Sequence, residues 1–355
     1  MSAIRVLIID DSAFMRKILS DMINSSSSGM KVVASARNGK VGLAKIKELE
    51  PDVVTLDVEM PQMDGLTCLE HIMEEHPTPV VMLSSEVERG KWKTLKAMAL
   101  GAVDFITKPS GHISLDIDTM RDEIIHKVLT AGNANLAHIN NQDIRPKEPV
   151  AKHIITYMPK DFTMIVIGTS TGGPRALQKV LEGLPKGFST PILIVQHMPA
   201  RFTASLANRL DGLFDIHVKE AIDGEIIQPK TVYIAPGNYH MKVRAVGQSY
   251  FIELNQDIPV NGHRPSVDVL FHSVKALSGV NKIAVILTGM GSDGAKSVKA
   301  LKETDPQAII LAEDQSSAIV YGMPKAAIET DAVNHIIPLE QVGKLLTNIT
   351  GEMGV

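Results

Sequence analysis

Short apolar runs recur along the chain, and each ends in polar or small residues. Arg5 to Ile9, Lys31 to Ala36, Val53 to Leu56, Val80 to Leu83 and Val103 to Ile106 read as five buried strands. They are too short for helices and are bounded by turn residues. Between several of them the apolar residues recur at helical spacing. Ser12 can cap a helix whose apolar side is Phe14, Ile18, Leu19 and Met22. Further helices are predicted over Gly39 to Leu49, Leu66 to Glu75 and Thr119 to Val128. Strands alternating with helices imply an α/β fold with a mostly parallel sheet.

The same alternation returns after residue 160. Met164 to Ile167, Pro191 to Val195, Val232 to Ala235, Lys282 to Leu287 and Ala308 to Leu311 read as strands, and Lys242 to Leu254 as a hairpin. Helices are predicted after Pro174, over Phe202 to Leu210, after Asp268, after Ala295, after Pro324 and over Val342 to Ile349. Between the two regions the periodicity fades and Asn133, Asn135, Asn140, Asn141, Pro146 and Pro149 accumulate. This predicts a domain over 1–125, a linker over 126–160 with a short helical start continued from the first domain, and a second domain over 161–355. Within the linker, Ile154 to Met158 is an apolar patch suited to docking on a domain surface.

Composition narrows the class. A chain of 355 residues is long for one domain, which agrees with two. A formal net charge of −4 without a basic cluster argues against nucleic-acid binding. The single cysteine, Cys68, excludes an intrachain disulfide and reads as a small buried residue, which suits a reducing cytoplasm. Met1 to Arg5 lead straight into a strand with no signal peptide, and no apolar run reaches membrane-spanning length. The twelve histidines show no zinc-ligand spacing.

What ends each strand of the first domain carries chemistry. Strand one ends in Asp10 and Asp11, strand three in Asp57, strand four in Ser84 and strand five in Lys108. In a parallel sheet these ends share one edge, where ligands bind. Three carboxylates together repel one another unless a cation lies between them, and oxygen ligands alone point to Mg²⁺. Lys108 and Ser84 could then contact an anion attached to one carboxylate. Helix capping accounts for Asp10 or Asp11 singly but not for the set. Lys108-Pro109 is also a candidate cis bond that would aim the lysine. With Asp57 followed by Met60-Pro61-Gln62-Met63-Asp64-Gly65, this region resembles the receiver domain of two-component response regulators. The resemblance implies a flavodoxin-like, five-stranded parallel sheet. It also implies Asp57 as phosphoacceptor, Asp10 and Asp11 as carboxylates holding Mg²⁺ with it, and Ser84 and Phe105 as switch residues. Lys108 becomes the phosphate-binding lysine, and a histidine kinase the phosphodonor.

In the second domain, the strand Met164 to Ile167 runs into Gly168-Thr169-Ser170-Thr171-Gly172-Gly173 and a helix beginning at Pro174. The spacing Gly168-x-Ser170-x-Gly172 fits a nucleophile on a sharp turn, an anion-binding loop or a plain structural turn. His197 and Asp293 end two further strands, and the trio supplies the residue types of a serine hydrolase. Each residue alone also has a bland reading: a loop histidine at a helix start for His197, and a turn or N-cap for Asp293. The order serine, histidine, aspartate differs from that of α/β-hydrolases, so membership of that fold does not follow.

The motifs Gly168 to Pro174, Gln196-His197-Met198-Pro199, Tyr233 to Gly237, Arg264-Pro265-Ser266-Val267-Asp268, Leu287 to Gly294 and Tyr321 to Pro324 resemble the catalytic domain of chemotaxis protein-glutamate methylesterases, the CheB family. This implies a doubly wound, mostly parallel α/β domain. Ser170 would be nucleophile, His197 base and Asp293 its orienting carboxylate, with Met290 and Thr171 at the oxyanion or positioning the turn. No cofactor is needed for ester hydrolysis. Substrates would be methyl-accepting chemoreceptors, with deamidation of receptor glutamines beside ester hydrolysis, and a cytoplasmic enzyme recruited to receptor arrays. Relatives often carry Asn where this chain has Asp314, so the role of the loop Glu313 to Ser317 is open. A short linker would let the first domain cover the site on the second, with phosphorylation relieving it. The alternatives are a silent output domain acting as a scaffold, a transcriptional regulator that lacks its helix-turn-helix, and a dinucleotide enzyme in which Ser170 would be an odd occupant.

Overall fold

The computed structural model describes residues 3–84, 88–108, 117–134, 136 and 162–352. The chain divides into two compact units, Met1–Gln142 and Asp143–Val355.

The first unit runs β1 (Ile4–Ile9), α1 (Ala13–Asn24), β2 (Met30–Ala36), α2 (Gly39–Leu49), β3 (Val53–Asp57), α3 (Gly65–Glu75), β4 (Val80–Ser84), α4 (Glu88–Leu100), β5 (Asp104–Thr107) and α5 (Ile117–Gly132). The strands pair in the order β2-β1-β3-β4-β5, all parallel. This is the flavodoxin-like order. Every residue of β3 and β4 is buried, which is why they read as unbroken apolar runs rather than alternating ones. Helices start where short polar side chains take up a free amide: Ser12 accepts from Met15 N, Asn38 from Val41 N and Asp64 from Thr67 N. Helix α4 has no counterpart in the reading above, because Lys91, Trp92, Lys93 and Lys96 interrupt its apolar spacing. Helix α5 starts earlier and ends later than its expected span, so 126–132 are helical. Cys68 is fully buried. The Lys108-Pro109 bond and the Ile154 to Met158 patch lie outside the described residues.

The second unit runs β6 (Phe162–Thr169), α6 (Gly173–Glu182), β7 (Ile192–Gln196), α7 (Phe202–Asp211), β8 (His217–Glu220), β9 (Thr231–Ile234), β10 (His240–Val246), β11 (Ser249–Asn255), α8 (Val267–Lys275), β12 (Val280–Ile286), α9 (Ala295–Thr304), β13 (Ile309–Glu313), α10 (Met323–Ile328), β14 (His335–Ile337) and α11 (Leu339–Thr350). Seven strands form one sheet in the order β14-β13-β12-β6-β7-β9-β8. All neighbours are parallel. The antiparallel pair β10-β11 is the expected hairpin, tied to α8 by Val243 N donating to Ser273 Oγ at 2.9 Å. Strands β7, β9, β12 and β13 are buried throughout, so both sheet faces are covered. Strand β6 is central. The chain builds outward from it through β7, then returns to its other side through β12. Carboxyl ends at such a reversal form the usual ligand crevice of an open α/β sheet.

Candidate active site

Register sets the site. Thr169 of β6 pairs with Gln196 of β7, so the next residues, Ser170 and His197, leave adjacent parallel strands side by side. The His197 amide donates to Thr169 O at 3.1 Å. On the other side Gly168 pairs with Ile286 of β12, bringing Thr288 opposite Ser170. Thr288 O accepts the Ser170 amide at 3.1 Å and Thr169 Oγ1 at 2.8 Å. Gln196 Nε2 donates to Ser170 O at 2.9 Å and His197 O at 3.1 Å, fastening both loops. Gly289 has no room for a side chain: a Cβ there would lie 2.4 Å from Met323 Sδ and 2.9 Å from Ser170 Cβ. Ser170 itself is half-buried.

Asp293 reaches this edge from the loop after β12. Its Oδ2 lies 2.9 Å from His197 Nε2, and the two side chains are 1% and 7% exposed. The carboxylate also sits on the start of α8. Oδ2 accepts Val267 N at 2.7 Å, while Oδ1 accepts Ser266 Oγ at 2.9 Å, Asp268 N at 3.1 Å and Asn261 Nδ2 at 3.2 Å. Burial pushes its pKa upward, but the His197 contact and the α8 amides outweigh it and hold the carboxyl below the usual range. The ionised Asp293 carboxylate accepts at Oδ2 from His197 Nε2, so that nitrogen carries the hydrogen. Nδ1 is buried, and no hydrogen bond reaches it among the described residues. No hydrogen bond joins Ser170 Oγ to the ring. The imidazole stacks on His263, with centroids 3.8 Å apart and planes 11° from parallel.

Thr171 and Met290 lie on the two loops that meet at Ser170. Thr171 O accepts Thr288 Oγ1 at 3.0 Å. Gly289 O accepts the amides of Gly322 and Met323 at 3.1 and 2.8 Å, anchoring the loop that carries Met290. Below them lies a residue given no role from the sequence. Glu313 Oε2 accepts Thr288 N at 2.7 Å and Oε1 accepts Ser317 Oγ at 3.0 Å. Full burial pushes its pKa up to about 7, against the lowering effect of those bonds. Asp314 makes local loop bonds, accepting Ser316 N at 2.8 Å. Asn261, His263 and Ser266 were likewise unassigned. The only signal was that Ser266 lies within the motif Arg264 to Asp268 and that Asn261 and His263 precede it.

In the first unit, Asp10, Asp11 and Asp57 each offer an oxygen within 4.8 Å of the others. Lys108 Nζ lies 2.7 Å from Asp57 Oδ2 and 2.9 Å from Asp10 Oδ2. Burial raises the Asp57 pKa to about 6, with Lys108 working against it. The Lys108 amide donates to Ser84 O at 2.7 Å, placing the lysine beside Ser84, whose Oγ accepts Thr94 Oγ1 at 2.5 Å. Phe105 is buried, and its carbonyl accepts Lys127 Nζ at 2.6 Å. Three carboxylate oxygens and no nitrogen or sulfur donor fit a hard divalent cation.

A strand-end acidic pocket with a lysine, on one chain with a parallel sheet that gathers a serine and an imidazole–carboxylate pair, is the layout of a response regulator with an enzymatic output domain. Comparison with known proteins agrees. The family model described as CheB methylesterase matches residues 165–346, and that of the response regulator receiver domain matches 6–117. A protein-glutamate methylesterase/protein-glutamine glutaminase of Halalkalibacterium halodurans is 53% identical over 342 residues, covering 96% of each chain. Its counterpart in Oceanobacillus iheyensis is 49% identical over 350 residues, covering 98% of this chain and 99% of that one. The crystal structure of the Thermotoga maritima CheB methylesterase catalytic domain, 41% identical, superposes with a TM-score of 0.51 over 53% of this chain and 98% of that one. The chain therefore belongs to the CheB methylesterase family and is an enzyme of that family, with a receiver domain ahead of its hydrolase domain. Among the described residues no helix is long and apolar enough to cross a membrane.

Proposed function

We propose that the chain hydrolyses glutamate γ-methyl esters on chemoreceptors and deamidates receptor glutamines, using Ser170, His197 and Asp293. The observation that carries this is the orientation of His197. Its Nε2 is committed to Asp293 and its buried Nδ1 has no hydrogen-bond partner among the described residues, while Ser170 leaves the neighbouring strand one position after Thr169. Nδ1 takes the hydroxyl proton as Ser170 Oγ attacks the ester carbonyl. The amides of Met290 and Thr171 receive the oxyanion. The carbon–oxygen bond to methanol breaks, and methanol leaves with the proton from Nδ1. Water, deprotonated by the same nitrogen, attacks the acyl-enzyme and releases glutamate, which restores the serine hydroxyl. With glutamine the leaving group is ammonia.

Control resides in the first unit. A histidine kinase transfers a phosphoryl group to Asp57. Asp10, Asp11 and Asp57 would hold a Mg²⁺, which when bound would supply charge neutralisation for the transferring oxygens. Lys108 pairs with the phosphoryl oxygens, Ser84 donates to them, and Phe105 answers the change. Phosphorylation raises hydrolysis.

Mass spectrometry of methylated receptor peptides incubated with the protein should show ester loss, and none with Ser170→Ala. A serine-reactive phosphonate should label Ser170. Absence of label, beside a labelled control esterase, would mean a silent scaffold. Hydrolysis by the full chain should increase with a small-molecule phosphodonor. The 155–355 fragment should exceed the unphosphorylated chain; equal rates would remove inhibition by the first unit from the model.

A further inference from the structure

A methyl ester is the same group on every glutamyl side chain, so choice among protein substrates needs contacts away from the reacting carbon. Two large apolar side chains are exposed on the segments that lead to the site: Ile258 is 83% exposed and Tyr239 is 38% exposed. A lone exposed apolar residue on a floppy loop means little. These two sit on backbone segments that hydrogen bonds fasten to each other. Arg264 is the clamp. Its Nη2 and Nε donate to Asn238 Oδ1 at 2.6 and 3.2 Å, and Nη1 donates to Gln256 O at 2.9 Å and Asp257 O at 3.0 Å. Asn238 N returns a bond to Arg264 O at 3.1 Å. His240 Nε2 lies 3.2 Å from Ile258 O. Residues 238–240 and 256–258 are thus one bonded rim.

Both segments lead to the catalytic imidazole. Gly237 packs on the loop that follows His197, so closely that a Cβ would lie 2.4 Å from Ala200 N. Its amide donates to Thr203 Oγ1 at 3.0 Å. Beyond Ile258 the chain closes a tight turn, with Val260 paired to His263, and His263 stacks on His197.

We propose that Ile258 and Tyr239 form a substrate-protein contact that selects which glutamyl esters reach Ser170, by receiving apolar side chains that flank the reacting residue on the receptor segment. This rests on the methylesterase reading above. Apolar groups carried on a fastened backbone have less mobility to lose when they are buried.

The test compares Ile258→Ser, Tyr239→Ala and the double variant with the unaltered chain. Two rates are measured: hydrolysis of a purified methylated chemoreceptor fragment, and labelling of Ser170 by a small phosphonate. The expected result is a rise in KM for the receptor of about tenfold in the double variant, with kcat and labelling changed less than twofold. An unchanged receptor KM overturns the proposal. So does a parallel fall in labelling and hydrolysis, because the rim would then be propping the site rather than touching substrate. If the unaltered chain labels at Ser170 yet leaves the receptor ester intact, the methylesterase reading fails, and the rim proposal falls with it.

Discussion

Thr288 is held from below by a fully buried carboxyl group. Glu313 accepts the Thr288 amide, while the Thr288 carbonyl accepts the Ser170 amide, so one residue separates a titrating group from the turn that carries Ser170. Its folded pKa of about 7 exceeds the ordinary 4.5. The native state therefore binds more protons than the unfolded chain between those values, and stability falls as pH rises from about 4.5 to about 7. The span corresponds to roughly 3 kcal/mol. Glu313→Gln should flatten that slope in urea unfolding measured from pH 4.5 to 8, while keeping an acceptor for Thr288. At Asp293 the opposite holds: an ionised carboxylate is required by four amide and hydroxyl donors and the imidazole. Asp293→Asn should lower kcat about 10³-fold or more, read as receptor ester hydrolysis at pH 7. Ser170, His197 and Asp293 were legible because each follows an apolar run, and strand ends are where parallel sheets collect chemistry. Asn261, Ser266 and Glu313 were not, because their work is to hold another residue, and nothing in local spacing encodes a partner more than twenty positions away.

Among the elements, the loop after β12 is tightly packed at Gly289. Gly289→Ala would push a methyl group toward buried Met323 and the β-carbon of Ser170. The expected cost is about 1–3 kcal/mol, visible as a lower urea midpoint, with slower phosphonate labelling of Ser170. Long, wholly buried strands such as β12 could be read directly, since unbroken apolar runs have few other uses. Strands β8 and β14 escaped notice for the converse reason. His217-Val218-Lys219-Glu220 and His335-Ile336-Ile337 are short, lie at the sheet edges and are only partly buried, so little apolar pattern is imposed on them. Helix α4 was hidden by lysines at positions where a helix usually shows its apolar stripe.

At the scale of the whole molecule, two parallel sheets with different strand orders share one chain. Their separate existence was legible from alternation that stops and resumes, and the reversal around β6 was not, because sequence order says nothing about which side of a strand the next one takes. The first unit carries its own pH signature. Asp57, raised by burial to about 6 from 3.8, makes that unit less stable as pH climbs through this window. Divalent cation binding should offset this. Calorimetry of the full chain at pH 7 should show one transition shifted upward by Mg²⁺, with Asp57→Asn reducing the shift. If both forms respond equally, the three aspartates are not the binding site.

The central position of β6 has a consequence for the order of synthesis. Strand β6 leaves the ribosome first in its unit, yet the carbonyl that secures Thr169 and Ser170 belongs to a residue 119 positions after Thr169. Until Thr288 has been made, the turn that carries Ser170 has no floor, and until Asp293 follows, His197 Nε2 lacks its carboxylate partner. A nascent chain is thus an incomplete hydrolase for most of its translation. Chains released early, before β12, should be unable to demethylate receptors even though they contain both the serine and the histidine.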